Sequence, residues 1–345
     1  MSTLPQSAVS TCECPLVAVK KRSHVLQVFA MQDMIHVLIM HIHLLPDLLA
    51  VQQLSRKIWS WCRGVPHCRL VAVLQRFFLG SLDRFLKAMH ETGTIITGSC
   101  ALNVLLGDLY DSSLSDLNLI VPHGMFSMMD IFLREVAGYV NMGEQKSHSS
   151  VALSVSRFIR YHKCHLSISV SQAGAMGPMG VIARGNTTAD MTFMTVGGVA
   201  TLYPEFTLHG RNVRAGPAGK HMLEDLHRKE YCIGSSKMDT LSLESDTSFI
   251  SSSCGPSCPS IWRSFGEYGP HGIFNWDMRY NVERVFEGCD VEWRLCEGCA
   301  NPRCARNSDQ RDSPLWVPSP VAPADEVDVA MQEQNIARHV PVCAL

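Results

Sequence analysis

A change of hydrophobic period near residue 94 constrains the fold more than any other feature of this sequence. Up to that point apolar residues recur every three to four positions, as on the buried faces of helices. The chain then enters a short β-branched segment, Thr94–Thr97, followed by Gly98-Ser99 and an apolar helical segment that ends at Gly107. A second strand-like segment, Leu117–Val121, follows a polar loop. This order of strand, turn, helix, loop and strand predicts a mixed α/β domain.

Helical and strand patterns continue on both sides of this region. Pro46-Asp47 and Ser81 are candidate helix starts, whereas His165–Ser171 and Met191–Val196 have the patterns of strands. We therefore divide the chain into a tail at 1–24, a helical module at 25–74, an α/β domain at 75–234, a linker rich in serine, threonine and acids at 235–253, a small Cys/Trp-rich module at 254–307, and a tail at 308–345.

The run Thr94–Val121 resembles the signature of the nucleotidyltransferase superfamily, the polymerase-beta-like fold. In that signature a strand leads into Gly-Ser at a helix start, and the next strand carries two acids two residues apart. The resemblance implies that Gly98 and Ser99 hold a triphosphate through backbone N–H groups and a hydroxyl. It also implies that the acids, with a third on a neighbouring strand, bind two divalent metals.

The carboxylates of that signature are mostly replaced here. Asp116 stands as a remnant metal ligand, but Asn118 occupies the position of the second carboxylate. The candidate third strand, His165–Ser171, offers only Ser167 and Ser169. Because two-metal catalysis needs anionic ligands, we expect a catalytically degenerate domain with no intact catalytic residue set. The alternative is an active nucleotidyltransferase that uses magnesium and acts on RNA, a protein or a small molecule.

Residues 25–61 resemble an F-box, the three-helix module that docks onto the adaptor of a ubiquitin ligase. The positions that match the F-box pattern are Asp33, Ile39, Asp47-Leu48-Leu49, Val51 and Ser55-Arg56. The resemblance implies that the ubiquitin-ligase adaptor is a partner, and we expect Leu48 and Val51 on the docking face. The alternative is a helical hairpin packed against the following domain.

Two cysteine clusters occur near the C-terminal end. Cys254 and Cys258 form one pair, and Cys296, Cys299 and Cys304 form the other cluster. Structural zinc takes four thiolate or imidazole ligands in tetrahedral geometry, and short spacings let each cluster supply two. The spacing predicts a metal site of Cys254, Cys258, Cys299 and Cys304, with Cys296 as the substitute. The alternative is a set of reduced, partly buried thiols.

The whole layout resembles a group of mushroom-type fungal proteins with an F-box-like start and a degenerate nucleotidyltransferase-like centre. The matching segments are RFFLGSLDRFLKAMHETGTIITGSCALNVLLG, YPEFTLHG and CGPSCPSIWR. The likeness covers about residues 25–307 and implies kinship rather than a particular activity.

Composition narrows the class of function. With 46% hydrophobic and 18% charged residues, the chain can bury a core, and wholesale disorder is excluded. A net charge of -2 argues against a nucleic-acid partner. The start lacks a secretory signal pattern, and polar residues interrupt the apolar run Val25–Leu54, so we expect no membrane partner and an intracellular location, cytoplasm or nucleus. Together the patterns predict a binding or scaffold protein.

Overall fold

The computed structural model describes residues 32–42, 45–107, 116–145, 153–213, 223–225, 258, 260–264, 272–280, 282–287, 289, 291–295, 304 and 316–318. The chain divides into two compact units between His41 and Ile42. The described part of the first unit is one helix, α1 (Gln32–Met40). The second unit contains all of the other described helices and strands.

Helices surround a central sheet in the second unit. They are α2 (Leu45–Val51), α3 (Arg56–Gln75), α4 (Leu82–Thr92), α5 (Ser99–Leu106), α6 (Phe126–Ile131), α7 (Gly177–Ile182) and α8 (Pro204–Thr207), with 3-10 turns at Gln52–Leu54, Met278–Tyr280 and Val282–Phe286 and a π turn at Phe132–Val136.

Local chemistry determines where two of these helices begin and end. The Ser55 hydroxyl caps α3 by accepting from the Ile58 N–H at 3.2 Å. Gly93, with φ of 65°, ends α4 in the left-handed conformation.

The described strands are β1 (Ile95–Thr97), β2 (Asp116–Val121), β3 (Val140–Glu144), β4 (Val155–Lys163), β5 (Leu166–Ala173), β6 (Thr192–Met194), β7 (Gly198–Thr201), β8 (Arg211–Val213), β9 (Leu223–Asp225), β10 (Arg263–Ser264), β11 (Ile273–Asn275), β12 (Val291–Trp293) and β13 (Trp316–Pro318). Eight of them form one sheet in the order β11-β7-β6-β1-β2-β5-β4-β3. Strands β2 and β5 are parallel, and the other neighbours are antiparallel. Two smaller sheets contain β10-β12-β13 and β8-β9.

The two faces of the central sheet differ in polarity at β2. Leu117, Leu119 and Val121 are buried on one face, whereas Asp116 and Asn118 alternate with them and are half-buried on the other. Helix α6 lies against the apolar face, where the Tyr161 hydroxyl of β4 donates to Asp130 at 2.6 Å. The sheet therefore leaves a polar, partly open surface on the face opposite α6.

These elements confirm the predicted mixed α/β class. Strands β1, β2, β5 and β6 form where the sequence predicts them, and α5 runs from the predicted Gly98-Ser99 turn to Gly107. No helix among the described residues is long and apolar enough to cross a membrane.

Residues from the Cys/Trp-rich region 254–307 share the core of the central sheet. Strand β11 pairs with β7 at the edge of that sheet. Val282, Trp293 and Leu295 pack in one buried cluster with Ile95 of β1 and other core residues. Sequence pattern gave no sign of this packing, because pairing between distant segments leaves no local signature. The predicted tail 1–24 and linker 235–253 lie outside the described residues, as does 308–345 apart from β13.

Candidate functional site

The strand register gathers polar side chains from four neighbouring strands on one face of the sheet. Thr97 pairs with Asn118, Asn118 with Ser169, and Ser169 with Arg160. In the next row Asp116 pairs with Ser167, which pairs with His162. Because residues directly opposite each other project to the same side, these side chains form one surface. We call it the polar face, and its members are Thr97, Asp116, Asn118, Arg160, His162, Ser167 and Ser169.

The polar face remains accessible at its centre and outer side. Asp116, Asn118, Ser167 and Ser169 are half-buried, and Arg160 and His162 of β4 are exposed. The residues that alternate with the serines on β5, such as Ile168 and Val170, are fully buried. The polar residues are therefore placed by the same pleat that buries the core, and a ligand can reach them from solvent.

Asp116 and Asn118 contact each other directly. The Asn118 Nδ2 atom donates to Asp116 Oδ2 at 3.3 Å, so the amide is tied to the carboxylate two residues before it. Gly98 lies on the other side of this amide, since a Cβ built on Gly98 would come within 3.0 Å of Asn118 Nδ2. Gly98 also has φ of +74°, which only glycine adopts without strain. The glycine thus allows the turn and the amide to approach closely.

The Gly98-Ser99 turn starts α5, with the Leu102 N–H bonded to the Gly98 carbonyl at 3.0 Å. Ser99 is 5% exposed, and its Oγ makes no hydrogen bond of normal geometry to the residues that the structure describes. Its hydroxyl contacts the adjacent Cys100 thiol and slightly lowers the pKa of that thiol. A buried hydroxyl with unused bonding capacity therefore lies at the predicted phosphate-holding turn.

Cys100 fixes α5 to the start of β2. Its thiol donates to the Asp116 carbonyl at 3.4 Å. Burial raises the pKa of the Cys100 thiol far above its usual range, and the Asp116 carboxylate raises it further. Arg76 opposes this rise. The thiol therefore stays protonated at neutral pH and acts as a structural donor rather than a nucleophile.

An acid that sequence analysis missed, Asp190, lies beside Thr97 at the C-terminal end of β1. It precedes β6, and the Thr97 hydroxyl donates to its carbonyl at 3.3 Å and to that of Thr192 at 2.9 Å. The Thr187 hydroxyl donates to the Asp190 carboxylate at 3.0 Å. In return, the Asp190 N–H donates to the hydroxyl oxygen of Thr187 at 3.2 Å. This reciprocal pair fixes the chain entry into β6. Its sequence signal was an acid directly before a predicted strand.

The described residues bring some of the predicted site together. Gly98, Asp116 and Asn118 meet, with Ser167 and Ser169 in register beside the last two. Sequence analysis missed Arg160 and His162, because only the pairing of β4 with β5 shows which face they share. Within the described part of the chain, no three histidine, cysteine, aspartate or glutamate side chains are grouped to hold a metal ion.

Of the four predicted zinc ligands, the structure describes two. The sulfurs of Cys258 and Cys304 lie 3.6 Å apart, and both thiols are buried. Cys254 and Cys299 lie outside the described residues, as does the substitute Cys296.

The expected docking residues of the F-box-like segment need one correction. Leu48 is 0% exposed and belongs to the core, so it does not form a docking face, and Val51 is half-buried. Exposed apolar residues of this segment include Met34, Val37 and Leu38 on α1, which are 48%, 53% and 55% exposed, and Leu54 and Trp59 beyond it, which are 62% and 45% exposed. Sequence analysis placed Leu48 on the surface because an apolar periodic residue has the same pattern whether it faces a core or a partner.

Comparison of the chain with protein-family models, with curated proteins and with solved structures found no match. Any function assigned to the chain therefore depends on the chemistry of its own residues.

Proposed function

We propose that this chain is a binding protein whose sheet is nucleotidyltransferase-like and whose polar face binds a phosphate-bearing ligand without catalysing transfer. The register that places Asn118, Ser169 and Arg160 in one row carries the proposal. The Asn118 amide and the Ser169 hydroxyl lie where metal-dependent transfer would need carboxylates. The Arg160 guanidinium is next in the same row.

The arrangement of elements supports the nucleotidyltransferase-like part of the proposal. Strand β1 leads through Gly98 into α5, and the chain returns as β2 beside β1. Strand β5 lies directly beside β2, as the third strand of the signature would. This order of elements is the one that the signature would have, and most of its acidic positions would then be neutral here.

Charge decides between transfer and binding on this face. On β2 and β5 the three signature positions provide one carboxylate, Asp116, which is too little negative charge to hold two divalent ions. Arg160 instead supplies a permanent positive charge with donors suited to phosphate oxygens. Neutral hydrogen-bond donors of Asn118, Ser167 and Ser169 lie on the neighbouring strands of the polar face. The polar face therefore favours an anionic ligand that binds to these side chains without a bridging metal ion.

Binding of ATP and of inorganic tripolyphosphate to the full chain tests this proposal. We expect calorimetry in the presence of EDTA to detect binding of both probes, and Arg160→Ala to weaken it about tenfold or more. Arg157→Ala is the matched control, because Arg157 lies on the same strand but contacts Phe126 of α6 on the opposite face. Binding that requires magnesium and ignores Arg160→Ala would favour the active nucleotidyltransferase. The absence of binding to the unaltered chain would also contradict the proposal.

A second role, docking onto a ubiquitin-ligase adaptor, is favoured by the apolar surface of α1. Met34, Val37 and Leu38 are spaced three and four residues apart, which places them on one side of the helix. Three large apolar side chains together on an exposed helix side are typical of a protein contact. With this role the chain would be a substrate-recognition subunit.

Capture of the purified adaptor by the full chain tests the second role. We expect Val37→Asp with Leu38→Asp to abolish capture, because each puts charge on an apolar contact. Leu79→Asp is the control, since Leu79 is 87% exposed elsewhere in the chain. No capture by the unaltered chain, or equal loss with the control, would overturn this role and leave the polar-face proposal intact.

A further inference from the structure

We propose that Cys258 and Cys304 are two ligands of a structural zinc ion that ties the C-terminal strands together, a site independent of the polar face. Forty-six positions separate these cysteines in sequence, yet their sulfurs lie 3.6 Å apart. Both side chains are buried, and Ile261 packs against them.

The distance between the two sulfurs fits one edge of a zinc tetrahedron. With zinc–sulfur bonds of about 2.3 Å, two thiolates on one tetrahedral ion lie about 3.8 Å apart. Two sulfurs joined in a disulfide are only about 2.05 Å apart. The separation of the two sulfurs is therefore that of two thiolates on one metal ion.

The place of each cysteine in the chain shows what the metal would join. Cys258 begins a turn in which the Ile261 N–H bonds to the Cys258 carbonyl at 3.2 Å, directly before β10. Cys304 lies in the connection from β12 to β13. These strands are two or three residues long, so their pairing alone provides few hydrogen bonds. A metal at this point links the segment before β10 to the connection between β12 and β13, and such cross-links stabilise small modules.

The remaining two ligands come from sequence spacing. Cys254 precedes Cys258 by four positions and Cys299 precedes Cys304 by five, which gives two pairs of the kind that bind structural zinc. Zinc binds thiolates, so each ligating thiol releases its proton to solvent and no sulfur changes oxidation state. The thiols need only remain reduced for the ion to bind.

Metal analysis of the full chain tests this site. For protein purified under reducing conditions and supplied with zinc, we expect about one tightly held zinc per chain. Cys258→Ser and Cys304→Ser should each lose the metal, whereas Cys68→Ser, which changes an exposed cysteine, should retain it. Titration of the unaltered metal-free chain with Co²⁺ should give the absorption of a tetrahedral thiolate site, a result that does not depend on variants that fail to fold.

Alkylation of the cysteines gives a second, independent result. Chelation should make four further cysteines reactive, Cys254, Cys258, Cys299 and Cys304, as identified by mass spectrometry of the peptides. Absence of zinc and of a cobalt–thiolate spectrum would overturn the proposal. So would a disulfide between Cys258 and Cys304 in protein kept under reducing conditions.

Discussion

The amide of Asn118 donates a hydrogen bond from Nδ2 to Oδ2 of Asp116 across 3.3 Å. At this position a metal-dependent transferase would carry a second carboxylate, which would share cations with the first. Here the amide itself provides the positive end of a dipole to Asp116. The amide therefore satisfies one carboxylate oxygen of Asp116 directly.

Asn118→Asp should destabilise the fold. The substitution removes this hydrogen bond and places two carboxylates on one face of β2, which should lower the free energy of unfolding by about 1 kcal/mol at pH 7. Urea denaturation measures the change, with Asn118→Ala as the control that removes the bond without adding charge. Near pH 3, where carboxyl groups are largely neutral, the two variants should become similar. A variant more stable than the unaltered chain at pH 7 would contradict this arrangement.

Gly98→Ala should cost more stability than Gly124→Ala. Both glycines have positive φ, +74° and +80°, so each variant carries a backbone penalty of about 1–3 kcal/mol, and Gly98, with ψ of -148°, has a conformation that is essentially confined to glycine. Only the new Cβ at residue 98 meets the Asn118 amide, at 3.0 Å, while nothing lies within 4 Å of Gly124. The difference between the two free energies of unfolding therefore measures the contact with Asn118 together with the special backbone conformation of Gly98. Equal losses of unfolding free energy in the two variants would mean that a Cβ at residue 98 does not clash with the Asn118 amide.

Cys100 should resist alkylation in the folded protein. Its pKa is raised first by burial and then by Asp116, so almost no thiolate is present at pH 8. Cys68 and Cys164 are exposed and should react about 100-fold faster with N-ethylmaleimide. Peptide mass spectrometry after timed labelling gives the comparison, and urea-unfolded protein is the control in which all three should react alike. Fast labelling of Cys100 in the folded state would contradict its placement between α5 and β2.

Tyr161→Phe should weaken the packing of α6 on the sheet. The Tyr161 hydroxyl donates to Asp130 at 2.6 Å, and the loss should cost about 1–2 kcal/mol near pH 7. Burial raises the pKa of Tyr161 above its usual range, and the bond to Asp130 adds to this rise. A raised pKa means that the stabilisation is complete below the pKa of the unfolded tyrosine, about 10, and declines as the pH rises above it.

Denaturation of both proteins at pH 7 and pH 11 checks this dependence. The difference in the free energy of unfolding between the unaltered chain and Tyr161→Phe should be smaller at pH 11 than at pH 7. Tyr280→Phe, which changes a tyrosine outside this contact, is the control for general effects of high pH. A difference that grows with pH would contradict the protonated, donating state of Tyr161.

Sequence reasoning reached the parts of the fold that depend on local rules. The β-branched segment before Gly98, the helix that ends at Gly107 and the strand at β2 each have a pattern contained within about ten residues. Their hydrophobic period and terminal glycines determine them almost independently of the rest of the chain. The pair of Asp116 and Asn118 on one face follows from the same alternation.

The remainder depends on contacts between distant segments, which no local pattern encodes. Arg160 joins the polar face only because β4 pairs with β5 in one register, and a shift of one residue would turn it to the opposite side. Likewise, β11 completes the edge of the central sheet from a region that resembles a separate module. Leu48 shows the same limit, because apolar periodicity identifies a buried face without naming what covers it.

Transfer of labelled nucleotide is the measurement that tests the central claim most directly. The full chain, supplied with radiolabelled nucleoside triphosphates, magnesium or manganese, and RNA, protein and small-molecule acceptors, should incorporate no more label than Asp116→Ala. Under the proposed function Asn118→Asp should also be inactive, because β5 places Ser167 and Ser169, and no third carboxylate, beside residues 116 and 118. Incorporation by the unaltered chain that Asp116→Ala abolishes would show that the polar face is a working active site.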